Sequence, residues 1–531
     1  MYVHTAHTLT IHPLIVEQHP VVALLILWAV VWAVVLGIAP RGFAAPLWSS
    51  AVTTRALPAT LIAGFIASMV WYGCKATYFD AAEPTITAVA AMFKAGRPLY
   101  PGLDAPERYV HVYGPMLFMA HALFLSAFGA SIGASKAVGV TAALGALALA
   151  FWTFVRRAGH ARALLALGYC VLFYATAADV AFWSRPDSLL IAAVSLALAS
   201  TEFRNQPFAI GVFGLALGIA VNLKITGPVY MLPIALIVWQ QRGTTALLGA
   251  LAVAAVVTIA PFTLPTISLD HYVSYLRRSA ANGLMLSRLR LNLEWVVFLV
   301  VPLVMLVRGP RTSRRADALS APGQFIPMSV AAMCVIAFAG AKPGGGAYHL
   351  LPFAPLLAYA GSTAAPRRSR SIDALAIATV IVFAAIAIPR QHRFIDAIQR
   401  RPIDAQLVEV RQFATEHPDQ SVGMGFAGAP LLSQAGVALA LAGQDFWLDG
   451  PATQEDRIAG APLPPATLDA IDSCRTWFWL LPAGPPPFAV VSAYAPMAPT
   501  DVFPPEFQAA FLRRYVRSGS TGSFDVWECR R

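Results

Sequence analysis

Between residues 20 and 388 the chain is a succession of apolar runs divided by short polar breaks. The runs lie at 20–38, 57–74, 114–130, 136–155, 163–180, 187–202, 207–222, 225–240, 244–264, 293–308, 325–340, 349–362 and 372–388. Several approach the roughly 20 residues that a helix needs to cross the hydrocarbon core of a bilayer. Inside a bilayer every backbone N–H and C=O must be bonded within the protein, so apolar runs of this length read as helices. Charged residues are 12% of the 531, against about 25% in average soluble domains. An ordinary soluble enzyme and a disordered chain are both excluded. What remains is an all-α polytopic membrane protein.

From residue 390 the texture changes: charges and prolines become frequent and no further spanning run occurs. The expected organisation is therefore an N-terminal extra span and cytoplasmic loop (1–56), a transmembrane domain (57–390) with an external loop at 75–135, and a small extracytoplasmic α/β or α+β domain (391–531). The run at 20–38 lacks a basic region before it and a small-residue cleavage site after it, so it reads as a retained span rather than a signal peptide.

The net charge is +11. In a soluble protein this raises nucleic acid as a partner. Here the basic residues sit in interhelical loops, as cytoplasmic loops of membrane proteins require, and nucleic acid is set aside. The clusters Arg156/Arg157/Arg162, Arg242, Arg308/Arg311/Arg314/Arg315 and Arg367/Arg368/Arg370 all fall inside if each run from 136 onward spans once. The run 114–130 must then lie along the membrane or re-enter it; its early Gly114-Pro115 and its shortness suit that. Arg41 and Arg55 fall inside and the span count is about twelve. The C-terminal domain falls outside, together with 75–135, the region of Trp183–Asp187, Lys224, the loop 266–292 and Lys342–His349.

This outer side collects the unusual residues. Asp80 and Glu83 follow the run 57–74 directly, and a spacing of three puts them on one face if they are helical. Ser184-Arg185-Pro186-Asp187 opens an apolar helix, Lys224 sits between two apolar runs, and Lys342 and His349 flank Pro343-Gly344-Gly345-Gly346. Ionisable groups at membrane depth are costly and point to function. Set against this, an Arg185–Asp187 ion pair, snorkelling, and a merely solvated acidic loop each explain one residue at a time. Arg offers phosphate a bidentate fork and Lys a point charge, while a carboxylate can take a proton from a nucleophile. Together these suit group transfer from a lipid-linked phosphate to a hydroxyl or amine.

The segments FDAAEP, KAGRPLY and YGPMLFMAHALFLSAFG resemble the first external loop of the C-type (GT-C) integral-membrane glycosyltransferases, which include the protein O-mannosyltransferases and aminoarabinose transferases. SRPDSLLIAAVSLAL, VNLKITGPVYMLPIAL and AKPGGGAYHLLPFAPLLA follow in the family's order, so the resemblance covers about 57–390. It implies a polyprenyl-phosphate sugar donor, an inverting reaction on the outer face, and an acid of the first external loop as base. The acceptor would be a glycan, lipid or protein, and the setting the bacterial inner membrane, with the site facing the periplasm. The family often carries an adjacent Asp-Glu pair, where this chain has Asp80-Ala81-Ala82-Glu83. Asp80, the first acid, is the favoured base, with Glu83 orienting the acceptor or a metal. Some relatives use a divalent cation (Mg or Mn) and others none; Asp80 and Glu83 would hold it. Arg185, Lys224 and Lys342 or His349 would hold the leaving phosphate, with Asp187, Tyr113 and Arg97 completing the substrate site. Tyr78, Tyr100 and Trp183 could also line a sugar, or serve as belt residues at the interface.

Other signals weigh less. Gly423-Met424-Gly425-Phe426-Ala427-Gly428 matches GxGxxG with Asp445 after it, but no βαβ alternation surrounds it and the topology puts it outside. The arginines of 266–292 (Arg277, Arg278, Arg288, Arg290) are a lipid-headgroup contact or a solvated loop. Trp477, Trp479 and Trp527 read as core of the last domain. Of five cysteines, Cys74, Cys170 and Cys334 lie in or beside apolar runs, whereas Cys474 and Cys529 would form a disulfide in an oxidising compartment. The lack of CxxC and HExxH patterns leaves a structural zinc site without support. Two competing functions are a transporter or flippase of lipid-linked sugars and a polymerase of them. A transporter usually shows internal repeats, and none is evident.

Overall fold

A computed structural model describes residues 20–38, 55–307, 324–363, 370–400, 403–427, 434–490 and 501–530. Arg41, the cluster Arg308/Arg311/Arg314/Arg315, Arg367, Arg368 and Gly428 lie outside the described residues. The apolar runs are helices. They are α1 (Pro20–Ile38), α2 (Leu57–Gly73), α3 (Ala82–Lys94), α4 (Pro115–Ala127), α5 (Ile132–Ala158), α6 (His160–Ala175), α7 (Pro186–Ser200) and α8 (Gln206–Leu223). There follow α9 (Gly227–Ile259), α10 (Leu269–Ala280), α11 (Leu286–Val307), α12 (Phe325–Ala339), α13 (Ala354–Thr363) and α14 (Arg370–Arg400).

Their limits follow from local chemistry. Ser131 and Asn205 cap α5 and α8 by accepting the N–H groups of Ala134 and Phe208 at 3.1 and 3.0 Å. Arg156 and Arg157 occupy the last turn of α5, where cations complement the helix dipole. The runs 225–240 and 244–264 join as α9, broken at Gly243, whose φ of 82° is a left-handed value that glycine adopts without penalty. Arg390 and Gln391 of α14 donate to the carbonyls of Thr176, Ala175 and Ala178, satisfying the orphaned end of α6.

Large apolar side chains point outward on α1, α2, α9 and α12: Ile26, Val70, Leu232, Trp239, Leu248, Val256, Ile259, Val335 and Phe338 are exposed. Water does not tolerate apolar area on this scale, and a lipid phase does. Among the described residues three helical stretches, Ile132–Ala158, Gln206–Leu223 and Gly227–Thr263, are both long and apolar enough to cross a membrane; others, such as α2, α6 and α7, are apolar but shorter. With 13 residues α4 is about 20 Å long, less than the hydrocarbon core.

After α14 come α15 (Asp404–Glu416), β1 (Val422–Met424), α16 (Val437–Leu441), α17 (Gly450–Ile458), α18 (Pro465–Asp472), β2 (Phe478–Pro482), α19 (Pro505–Arg514), β3 (Tyr515–Ser520) and β4 (Phe524–Cys529). The mixed sheet runs β1-β2-β4-β3, with β1 parallel to β2 and the other pairs antiparallel. Both faces of β2 are buried, which is why FWLLP is apolar throughout. Trp479 and Leu481 pack with Phe488, Phe503, Phe507 and Phe511. Phe478 and Leu480 share a second core with Phe413, Phe524, Tyr78 of the loop after α2 and Ala88 of α3. Cys474 and Cys529 are disulfide-bonded. Gly423 and Gly425 lie against Trp479, Leu481 and Phe488, so these two glycines of the GxGxxG pattern make room for the core.

This sheet domain grips the segment 75–135. Arg108 exchanges backbone bonds with Trp447 and Asp449, and its guanidinium meets Asp456 at 3.2 Å and the Ala105 carbonyl at 2.6 Å. Asp456 also holds Arg278 of α10 at 3.2 Å, and Thr85 donates to Asp449 at 2.8 Å. His111 lies 3.2 Å from Glu455 and 3.5 Å from Asp449.

Candidate functional site

The site forms where α2, the start of α3, the segment 176–185 and the 3₁₀ turn Ala347–Phe353 converge. Asp80 and Glu83 do not share a helix face. Helix α3 begins at Ala82, and Asp80 stands outside it, its Oδ1 accepting the Ala82 N–H at 2.9 Å. Such a side-chain turn competes with helix for the same residues, so the spacing of three loses its helical meaning. The two carboxylates then have opposite surroundings.

Glu83 is 0% exposed. Its Oε1 accepts from the Tyr72 hydroxyl at 2.6 Å and from the Asp80 N–H at 3.3 Å, and its Oε2 from the Ser184 N–H at 2.9 Å. Burial pushes its carboxyl above the usual range, while Lys136, the Ser184 amide and Tyr72 pull the other way. The Lys136 ammonium donates to the carbonyls of Thr77 at 2.6 Å and Lys75 at 2.9 Å and covers the Tyr72 ring at 3.6 Å. Asp179 is buried with neither carboxylate oxygen bonded within the described residues. Burial, and then the charges of Glu83 and Asp80, raise its carboxyl well above the usual range, which favours the neutral acid.

Asp80, by contrast, keeps 29% of its side chain exposed and pairs with Arg185 at 3.2 Å. Arg185 precedes Pro186, which forces it into extended backbone (φ −85°, ψ 169°) at the mouth of α7. Its guanidinium lies 4.2 Å over the Trp183 ring and 5.8 Å from the rings of Tyr113 and Tyr348, and it donates to the Tyr348 hydroxyl at 3.3 Å. Gly139 of α5 makes this loop possible: a Cβ there would stand 2.2 Å from the Trp183 carbonyl oxygen.

Beside Arg185, two helix ends meet. Asp187 is in the first turn of α7 and Lys224 caps the end of α8, each the sign its helix dipole favours. Lys224 Nζ donates to Asp187 Oδ1 at 2.6 Å and lies 3.3 Å from His349 Nδ1; Trp183 Nε1 donates to Asp187 Oδ2 at 3.2 Å. The structure therefore gathers Asp80, Arg185, Asp187, Lys224, His349 and Tyr113 around Trp183 and Tyr348. It does not bring in Arg97, which is exposed on the loop after α3. Nor does Lys342 join: its ammonium is turned to the Ser279 carbonyl at 3.1 Å. Tyr348, Tyr72, His121 and Asp179 are additions that the sequence reading left aside.

A divalent cation does not fit Asp80 and Glu83 as a pair. One oxygen of Asp80 is taken by Arg185 and the Ala82 N–H, and both oxygens of Glu83 accept from protein donors. Among the described residues no group of three or more His, Cys, Asp and Glu could hold a metal.

No family profile and no curated protein matches the chain. Two solved structures do. The crystal structure of ArnT from Cupriavidus metallidurans in the apo state is 12% identical, with a TM-score of 0.48, over 82% of this chain and 94% of that one. The crystal structure of ArnT from Cupriavidus metallidurans bound to undecaprenyl phosphate is 13% identical, with a TM-score of 0.45, over 88% of this chain and 85% of that one.

Proposed function

We propose that this chain is an integral-membrane glycosyltransferase that moves a sugar from a polyprenyl-phosphate carrier to a hydroxyl or amine of a glycan, lipid or protein acceptor. The observation that carries the reading is the partly exposed Asp80 carboxylate, 3.2 Å from Arg185, next to the cationic Lys224. A partly exposed carboxylate for the acceptor, and a guanidinium and an ammonium for the phosphate, are the two halves of this chemistry.

The step is one in-line displacement. The acceptor O–H or N–H gives its proton to Asp80. The acceptor atom bonds to the anomeric carbon as the bond from that carbon to the phosphate oxygen breaks. The electron pair leaves with the polyprenyl phosphate, and the configuration inverts. Arg185 presents a planar fork to the departing phosphate and Lys224 a point charge, fixed in place before the reaction, which is where electrostatic catalysis gains most. A phosphate leaving group is a weak base and needs no dedicated acid. No step is routed through a metal. In this reading the site and the sheet domain face the periplasmic side of a bacterial inner membrane, and about twelve helices span it.

The test is transfer from a radiolabelled polyprenyl-phosphate sugar by purified protein. Asp80→Asn should lower turnover by about 10²–10⁴-fold, the usual worth of a general base, while polyprenyl phosphate still binds. Full transfer by Asp80→Asn refutes the assignment. Wild-type protein that moves the lipid between leaflets without transferring sugar is a transporter instead.

A further inference from the structure

Ser184 stands between Trp183 and Arg185, and its N–H, in the 183–184 peptide, and its C=O, in the 184–185 peptide, are both held by side chains from distant segments. Its N–H donates to Glu83 at 2.9 Å. Its C=O accepts from His121 Nε2 at 2.9 Å. A carbonyl oxygen only accepts, so Nε2 carries the imidazole proton. Nδ1 is therefore the acceptor for Ser135 Oγ, 2.7 Å away. Ser135 Oγ lies 2.7 Å from Thr87 Oγ1, and that atom 2.8 Å from the Tyr78 hydroxyl. The hydroxyls thus donate in one direction, Tyr78 to Thr87 to Ser135 to His121, and the chain ends on the Ser184 carbonyl. His121, Ser135 and Thr87 are all 0% exposed. Burial takes the His121 imidazole down to about 4, so it stays neutral and its tautomer is set by its neighbours.

A buried network with every member satisfied is rigid. Here it has a lever to act on. The Arg185 guanidinium lies at the end of a long side chain, so a small rotation of the peptide before it becomes a large displacement at the head. We infer that Glu83 and His121 are positioning residues, which together fix the two peptide planes flanking the Ser184 Cα and so aim Arg185 at the phosphate of the carrier lipid. Glu83 serves the reaction through the backbone and touches neither acceptor nor metal. The inference rests on the glycosyltransferase reading of Asp80 and Arg185.

The test compares His121→Leu, His121→Gln and Ser135→Ala in the full chain, in detergent. The Gln amide N–H takes the place of Nε2–H; Ser135→Ala removes the partner of Nδ1 and of Thr87 Oγ1 and leaves Nε2–H in place. Two readouts are taken on folded protein: hydrogen–deuterium exchange of the segment 182–187 without substrate, and binding of undecaprenyl phosphate. His121→Leu should speed exchange in 182–187 and weaken the lipid by about tenfold, the equivalent of one hydrogen bond. His121→Gln should restore both, and Ser135→Ala should fall between. If His121→Leu does not fold, the order wild type, His121→Gln, Ser135→Ala carries the test. A purely structural role lowers thermal stability and leaves lipid affinity unchanged, and that result overturns the inference. If exchange responds as expected but wild-type protein does not bind undecaprenyl phosphate, the glycosyltransferase reading fails and the clamp stands.

Discussion

Lys224→Met tests the charge arrangement directly, because it keeps the length and apolar stem of the side chain and removes only the ammonium. In the folded chain Asp187 is 1% exposed and receives Lys224 Nζ at 2.6 Å and Trp183 Nε1 at 3.2 Å. Without Lys224 the carboxylate keeps the Trp183 donor, with His349 Nδ1 3.9 Å from its Oδ1. Removing one partner of a buried pair typically costs about 3–5 kcal/mol, most of it the desolvation of the charge left behind. Asp187→Asn added to Lys224→Met removes that charge and lets Trp183 Nε1 donate to the amide oxygen. The double variant should then recover most of the loss. The assay is reversible unfolding in micelles, read as a double-mutant cycle over wild type, the two single variants and the double. Lys224→Met with wild-type stability refutes the argument. So does a double variant as unstable as Lys224→Met, because the cost would then not be that of an unpaired carboxylate.

Three further expectations follow from other parts of the molecule. His111 is buried, which lowers its imidazole, but Glu455 and Asp449 overcome this and lift it from 6.5 to about 10. A raised folded value means stability fully present below about pH 6.5 and lost as pH rises through about 10, so wild type should lose more stability over that window than His111→Gln; parallel curves refute the ion-pair account. The Cys474–Cys529 bridge closes a separation of 55 residues, and replacing both cysteines by serine should cost the sheet domain about 2–4 kcal/mol. Thiol counting in the oxidised, unfolded chain should find Cys74, Cys170 and Cys334 alone, and five free thiols refute the bridge. In α5, Gly139→Ala puts a Cβ 2.2 Å from the Trp183 carbonyl oxygen and should destabilise by about 1–3 kcal/mol and impair transfer. Gly145→Ala on the same helix meets nothing within 4 Å and should be neutral or stabilising by up to about 1 kcal/mol; equal effects of the two refute the packing argument.

The sequence was most legible where a residue's environment is set by its own segment. Apolar runs become helices because a lipid phase leaves the backbone no other partner, and the run breaks at Gly243 and before Pro186 follow from backbone sterics. The gathering of Arg185, Asp187, Lys224 and His349 was legible for a related reason: each is an ionisable group next to an apolar run, and such groups find one another because nothing else can hold them. The same reasoning applied to His121 and Lys136, which also interrupt apolar stretches, points to the clamp and to the cation over Tyr72. The difference between Asp80 and Glu83 was not legible. Spacing alone puts them on one face, but that holds only if the helix includes Asp80. Whether it does depends on a local contest that Asp80 settles by bonding the Ala82 N–H. Glu83 is then committed by a bond to Ser184, 101 residues away, which no local pattern encodes. Two carboxylates three apart thus take different surroundings because one is the first residue of a turn and the other the first acid of a helix.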